Sequence, residues 1–290
     1  MGPAVTDDPW AQHRGLLFSV AYDLLGSVAD AEDVVQETWL RWSAADRSGV
    51  QDPRAYLVRI ATNQALNRIR SAKARRETYI GPWLPEPLVE PDPAEAITDQ
   101  AAREQDVSMA MLVVLETLSP AERAVFVLRE VFGMSHDEIA GALDRTPASV
   151  RQMAHRAREH VHARRPRFES DRDEQRRVTE EFLAACATGD KDALLALLAP
   201  DVTLVSDSDG RAKAARRPIL GADKVARFIL GIASDAMALD LRFALVNGGV
   251  GLVASEGART QSVTQLDVVD GRIRAVYIVA NPEKLGHVPH

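Results

Sequence analysis

Ser119-Pro-Ala-Glu122, Ser135-His-Asp-Glu138 and Thr146-Pro-Ala-Ser149 follow one another closely, and the third opens onto a strongly basic segment that runs to Arg165. Each string is a helix start. In the first two, an N-cap hydroxyl can accept from the third backbone N–H while the glutamate reaches back to the cap. Pro120 and Pro147 suit the first helical position, where the missing N–H has no partner to lose. Only about four residues separate the second helix from the third, which is the spacing of a helix-turn-helix. The third helix then places Val150, Ala154, Ala157 and Val161 on one face by 3.6 periodicity. Gln152, His155 and Arg156 fall on the opposite face, with Ser149 and Arg151 at its edges. Such a polar face can enter a major groove. The same pattern would also suit a solvated amphipathic helix, so the rest of the chain has to decide.

The chain has 290 residues, is 46% apolar and carries a net charge of −7. That length suits about two or three domains of soluble globular protein. An N-terminal apolar leader and a bilayer-spanning run of about twenty apolar residues are both missing from the sequence, so a cytoplasmic protein without membrane contact is expected. The single cysteine, Cys186, excludes a disulfide within the chain and sits in the apolar string Phe182-Leu-Ala-Ala-Cys-Ala. It reads as a structural thiol.

A net negative charge looks wrong for a nucleic-acid binder until it is divided along the chain. Residues 81 to 105 carry six acids against Arg103, a local −5, while residues 1 to 80 balance at ten and ten. Arg59 to Arg76 holds six bases and no acid, and Arg145 to Arg167 holds seven bases against Glu159. Two basic strips separated by an acidic tether fit two DNA contacts.

The first strip belongs to an N-terminal helical unit. Ser27-Val-Ala-Asp30 is another capping string, followed by Ala31, Val34, Val35, Thr38, Trp39 and Trp42 at the spacing of a buried stripe. Asp30, Glu32, Asp33 and Glu37 gather around it, either as a solvated face favoured by the helix dipole or as a docking surface for a basic partner. A second helix after Asp52-Pro53 has Val58, Ala61, Thr62, Ala65, Leu66 and Ile69 at core spacing and Arg59, Asn63, Asn67 and Arg70 on its other face. Amides can read exposed base edges, and guanidinium groups can clamp phosphates or stack on bases.

These strings carry a family resemblance. Asp30-Ala-Glu-Asp-Val-Val-Gln-Glu-Thr-Trp-Leu-Arg41, Asp52-Pro-Arg-Ala-Tyr-Leu-Val-Arg-Ile-Ala-Thr-Asn63 and Asn67-Arg-Ile-Arg70 resemble region two of bacterial extracytoplasmic-function sigma factors. Leu118-Ser-Pro-Ala-Glu-Arg-Ala-Val-Phe-Val-Leu-Arg129 and the helix-turn-helix after it resemble region four of the same family, so the likeness covers residues 14 to 165. The resemblance implies roles. Asp30, Glu32, Asp33 and Glu37 would bind the clamp coiled coil of core RNA polymerase, with further contact at its flap. Arg59, Asn63, Asn67 and Arg70 would take the melted minus-ten strand. Ser149, Arg151, Gln152, His155 and Arg156 would read minus thirty-five of the promoter DNA. None of these roles needs a metal or cofactor.

Between the two regions, Gly81-Pro-Trp-Leu-Pro-Glu-Pro-Leu-Val-Glu-Pro-Asp-Pro93 holds five prolines in thirteen residues, so it is expected to be extended and not helical. Trp83, Leu84 and Leu88 would be costly to expose, which favours a docked linker over a spacer. The Trp-Leu-Pro-Glu-Pro string resembles that of a subgroup of the family in which a third domain follows.

Residues 172 to 290 change texture. A helix through Val178, Phe182 and Ala185 and a turn at Gly189-Asp190 lead into short alternating strands, expected at Val202 to Val205, Leu239 to Val246, Gly251 to Ala254, Ser262 to Val269 and Ile273 to Val279. Asn247-Gly-Gly and Asp270-Gly271 supply hairpin turns. The expected architecture is multidomain: two all-α regions followed by an α+β cone of helices on a curved antiparallel sheet. The string from Phe182 to Val202 resembles the opening of a SnoaL-like domain of the nuclear transport factor-like fold. For catalysis in such a cone, Asp207, Asp209 or Asp240 would have to be the base, and Asp207-Ser-Asp-Gly-Arg211 reads first as a polar loop, so no enzyme activity is expected.

In the resembled subgroup the third domain is thought to regulate the sigma factor in cis. Asp207 to Arg211 and Asn281-Pro-Glu-Lys-Leu285 resemble two of its signature strings, although Ser208 and Asp209 stand where two glycines are expected and Glu283 where an aspartate is. The expected domains are therefore 1–80, a linker 81–107, 108–168 and 172–290. Trp83, Leu84, Pro85, Asp207, Arg211, Asn281, Pro282, Lys284 and Leu285 form the expected regulatory contact. A ligand-sensing DNA-binding regulator that needs no polymerase, with an unidentified small ligand in the cone, is the alternative. A cyclase or isomerase fused to a DNA-binding module ranks behind both.

Overall fold

A computed structural model describes residues 9–77, 79–90, 107–164, 171–210, 214–236 and 238–289. The chain divides into two compact units, Met1–Glu77 with Val114–Pro166 and Thr78–Val113 with Arg167–His290. It therefore passes from the first unit to the second and back before ending in the second.

The first unit is helical. α1 (Pro9–Leu25), α2 (Val28–Ala44) and α3 (Pro53–Glu77) pack around Leu17, Val20, Val34, Trp42, Leu57 and Ala61. Ser27 caps α2 by accepting from Asp30 N, and Asp52 accepts from Ala55 N where α3 begins. The expected stripe on α2 is buried at Ala31, Val34, Val35, Thr38 and Trp42. Trp39 departs from it: it is 36% exposed and lies against the ring of Trp10 on α1 at a centroid distance of 5.3 Å.

In the second unit the segment after Tyr79 runs extended to β1 (Val89–Glu90), and α4 (Met109–Leu115) starts there and ends in the first unit. The helix-turn-helix then forms from α5 (Pro120–Phe126), α6 (His136–Leu143) and α7 (Pro147–Arg164). α5 ends in one wide turn over Val127–Val131, with Phe132 N bonded to Val127 O at 3.2 Å. Ser135 and Glu138 make the complete reciprocal cap of α6, whereas at α5 the Glu122 carboxylate accepts from the Ser119 hydroxyl. Three residues join α6 to α7, and Asp144 takes the left-handed conformation at φ 53°, which the short polar aspartate tolerates. Arg123 is almost fully buried. It donates to Leu24 O at 2.9 Å and pairs with Glu116 at 2.7 Å, so its charge is compensated where α5 meets the end of α1.

The rest of the second unit is a seven-stranded sheet with helices on it. α8 (Arg172–Thr188) and α9 (Lys191–Leu197) precede β2 (Leu198–Asp207) and β3 (Ile219–Leu220). α10 (Ala222–Ala236) follows, then β4 (Asp240–Val246), β5 (Gly249–Glu256), β6 (Arg259–Val269) and β7 (Arg272–Val279). The strand order is β1-β4-β5-β6-β7-β2-β3. The sheet is not wholly antiparallel as expected, because β2 pairs in parallel with β7. A parallel pair requires a long crossover, and the chain supplies it through α10 and three hairpin-linked strands. Asn247-Gly248 and Asp270-Gly271 make the expected hairpin turns with positive φ at both residues. At Gly251 a Cβ would lie 2.5 Å from Val246 Cγ2 and 3.0 Å from Thr264 O, so no side chain fits between β4 and β6 there. α8, α9 and α10 cover one face over Val178, Phe182, Leu204, Ile229 and Val276.

Candidate functional site

In the first unit the recognition helix α7 buries Val150, Met153, Ala154, Ala157 and Val161 and exposes Arg151, Gln152, His155 and Arg156, with Ser149 half-buried at its start. The apolar row anchors the helix on α5 and α6, and the polar row faces solvent. Arg156 does not stand alone: its Nε pairs with Glu122 at 3.1 Å, and Arg158 pairs with Glu130 at 3.0 Å. The Ser119 hydroxyl, then the Arg156 charge, holds the Glu122 carboxyl below its usual range despite partial burial. Exposed pairs of this kind are worth at most about 1 kcal/mol, so DNA phosphate can displace them.

On α3, Arg59, Asn63, Asn67 and Arg70 are all exposed, as the periodicity predicts. Asn63 already has work within the chain: its Nδ2 donates to Arg59 O at 2.9 Å and to Ala142 O at 3.0 Å. Ala142 lies in the last turn of α6, where carbonyls lack intrahelical donors, so the amide of the strip satisfies an orphan of the helix-turn-helix. Arg70 donates weakly to Asn67 Oδ1 at 3.4 Å.

The acids of α2 are also paired. Arg14 reaches Glu32 at 3.0 Å, while Arg68 reaches Asp30 at 3.3 Å, Asp33 at 3.1 Å and Glu37 at 3.0 Å. Burial works against the charged guanidinium of Arg68, but the Glu37 hydrogen bond and the three carboxylates outweigh it and raise its pKa further. Arg68 was not among the expected site residues, since its place between Asn67 and Ile69 suggests nothing about the helix it pairs with.

In the second unit the described part of the linker, residues 81–90, is docked, not loose, while residues 91–106 lie outside the described residues. Leu84 is completely buried among Met109, Ala244, Val246, Val263 and Tyr277, and Pro85 and Pro87 are buried beside it. Val89 and Glu90 pair with Val246 and Leu245 as an edge strand. Leu88 exchanges two hydrogen bonds with Asn247, and His287 Nε2 lies 2.9 Å from Pro87 O.

The centre of this attachment is Asp207. It is not in a polar loop: it ends β2, is 0% exposed, and accepts from Leu84 N at 2.7 Å, from Lys284 Nζ at 2.7 Å and from the Tyr79 hydroxyl. Lys284, 6% exposed, also donates to Leu84 O and lies over the Trp83 ring at 4.0 Å. Asn281 donates to the Tyr79 oxygen at 2.8 Å and caps the 3-10 turn Pro282–Lys284, which Pro282 starts and the buried Leu285 closes. Burial and then the Asp207 carboxylate push the Tyr79 hydroxyl far above its ordinary range. Trp83, Leu84, Pro85, Asp207, Asn281, Lys284 and Leu285 thus meet, with Pro282 exposed and acting through the turn. Arg211 lies outside the described residues. Tyr79 was missed because a lone tyrosine after a basic helix has no pattern to mark it.

A separate apolar pocket of about 80 Å³ opens between α8, α10 and the sheet, lined among others by Phe182, Cys186, Ile229, Leu252, Thr264 and Ile278. Burial raises the Cys186 thiol to about 11, as suits an inert, structural thiol. Among the described residues no group of three or more potential metal ligands occurs, and no helix is long and apolar enough to cross a membrane.

A capped helix-turn-helix with an exposed polar recognition helix, beside a second helix bearing amides and arginines, defines a DNA-binding protein with two reading elements. Comparison with known proteins narrows the class. Residues 10–75 match Sigma-70 region 2 and residues 108–161 match Sigma-70, region 4. The chain is 42% identical to the ECF RNA polymerase sigma factor SigJ of Mycobacterium tuberculosis, over 95% of this chain and 92% of that one. It is 32% identical to the probable ECF RNA polymerase sigma factor SigI of the same species, over 95% and 93%. The crystal structure of Mycobacterium tuberculosis SigJ superposes with a TM-score of 0.78 at 38% identity, covering 95% of this chain and 96% of that one. The chain belongs to the extracytoplasmic-function RNA polymerase sigma factors and is a polymerase-binding alternative sigma factor.

Proposed function

We propose that this sigma factor docks on the clamp coiled coil of core RNA polymerase through Asp30, Glu32, Asp33 and Glu37, with region four meeting the flap. Arg59, Asn63, Asn67 and Arg70 take the melted minus-ten strand, and Ser149, Arg151, Gln152, His155 and Arg156 read minus thirty-five. The C-terminal cone acts in cis by gripping the linker that joins the two reading elements, so that it sets how much of that tether is free. The observation that carries the regulatory reading is the buried Asp207–Lys284 pair closed on the backbone of Leu84. A polar device buried this deeply holds one specific segment, which a mere spacer would not need.

The same contact supports a non-catalytic cone. Asp207, one of the three aspartates that could act as a base, is committed to three donors, the Tyr79 hydroxyl, the Leu84 N–H and the Lys284 ammonium. The apolar pocket keeps a small, poorly polar ligand in the cone as the second reading. The test is in vitro transcription with core polymerase. Gln152→Ala should lower initiation at the cognate promoter by roughly five- to a hundredfold, the value of one good base contact of about 1–3 kcal/mol. Failure of the purified protein to bind core polymerase would overturn the reading.

A further inference from the structure

Among the described bases of the α3 strip, Arg68 is the one turned away from the exposed row of Arg59, Asn67 and Arg70. Its guanidinium lies between α3 and α2, 24% exposed, and holds three carboxylates at 3.0 to 3.3 Å. With Arg14 on Glu32, every acid assigned to the polymerase-docking face already carries a base of this chain. Three acids against one arginine leave that cluster at −2, so it still attracts a basic partner. Asp33 is 58% exposed and Glu37 44%, which leaves both open to competition.

We propose that Arg68 links polymerase docking to DNA capture. Basic groups of core polymerase take over Asp30, Asp33 and Glu37, and the displaced Arg68 guanidinium joins Arg70 on the backbone phosphates of the minus-ten strand. The inference rests on the docking role proposed above for the α2 acids. Exchange is open at Asp33 and Glu37, whose half-exposed carboxylates are screened by solvent and accessible to a competing base. It does not depend on pH, since the three carboxylates hold Arg68 protonated throughout the physiological range. An arginine held by acids until the partner arrives suppresses DNA binding by the free protein and adds one phosphate contact to the holoenzyme.

The experiment uses the full chain with core RNA polymerase of Mycobacterium tuberculosis, the organism of the relatives described above, and a fork-junction DNA selected from a random pool by the wild-type holoenzyme. Binding of that DNA is measured from low to moderate salt. One lost phosphate contact to a single strand makes the slope of log K against log salt shallower by about 0.7. Arg68→Gln should show that change and should bind core polymerase at least as tightly as wild type, because the competing base is gone. Arg68→Lys should restore the slope. Asp33→Asn combined with Arg68→Gln removes one charge of each sign and reports the same slope if the single variant folds poorly. An unchanged slope in folded Arg68→Gln or in the double variant, or weaker core binding by Arg68→Gln, overturns the link. If the wild-type protein itself fails to bind core polymerase, the docking reading fails instead, so the two failures are distinguishable.

Discussion

Lys284→Met removes the ammonium at the centre of the linker attachment while keeping an unbranched side chain of similar reach. The change deletes the 2.7 Å pair with Asp207, the hydrogen bond to Leu84 O and the charge over the Trp83 ring. Asp207 is left charged and wholly buried. Removing one member of a buried pair costs about 3–5 kcal/mol. The lower end applies, because Asp207 keeps the Leu84 N–H and the Tyr79 hydroxyl as donors. The thioether also still packs on the aromatic rings, which offsets part of the lost cation–π energy. About 3 kcal/mol, at 1.4 kcal/mol per factor of ten, corresponds to roughly a hundredfold more frequent opening of the linker. The Leu84 amide reports this directly, since its N–H is bonded to the same Asp207 oxygen. Native-state hydrogen exchange of Leu84 should therefore accelerate about a hundredfold. Amides in the apolar seam of α7, such as that of Val161, should keep their rates. An acceleration at Leu84 of less than about threefold would refute the reasoning, because it would mean that shape and apolar burial hold the linker without the ion pair. Asp207→Asn with Lys284→Met should lose less than the sum of the two single changes, since no charge is then stranded.

The helix-turn-helix and the acid limb of stability give two further expectations. Ser135→Ala opens the complete capping box of α6 and should lower the stability of the first unit by about 1 kcal/mol, read as a shift of the urea midpoint at unchanged slope. Glu138 is held below its ordinary range, first by the Ser135 hydroxyl and then by the Ser135 backbone N–H. A lowered folded pKa contributes stability that is complete above the unfolded glutamate value of about 4.3 and is lost as pH falls through the folded value. Wild type should therefore exceed Glu138→Gln in urea midpoint at pH 7, and the two curves should converge below about pH 4. A gap that stays constant with pH would contradict the assignment.

Much of the architecture was legible because it rests on local rules. The three caps, the buried row on α7, the extended linker and the two Gly-containing hairpins each depend on residues a few positions apart. The β2–β7 parallel pair was not legible, because alternation along a strand marks its faces and says nothing of its neighbour's direction. α10 also escaped notice among the strands, although Val225, Ala226, Ile229 and Ala233 lie buried at helical spacing. Trp39 looked buried by periodicity, yet it sits where the stripe of α2 runs out against α1 and ends half-covered by Trp10. In the site, the exposed rows on α3 and α7 followed from periodicity, whereas the pairing of their charges did not.

By itself the sequence determined the helix starts, the two basic strips, the acidic tether and the family that these strings resemble. All of these are set by interactions within one or two turns or by charge counted along the chain. The tertiary structure decided which partner each polar group has. Asp207 takes Lys284, 77 residues away, and Tyr79, 128 residues away; Asn63 caps Ala142 across 79 residues; Arg68 gathers three acids from another helix. A carboxylate or an amide has many acceptable partners in the chain. Only packing, which decides who is buried beside whom and makes an unpaired group costly, selects among them.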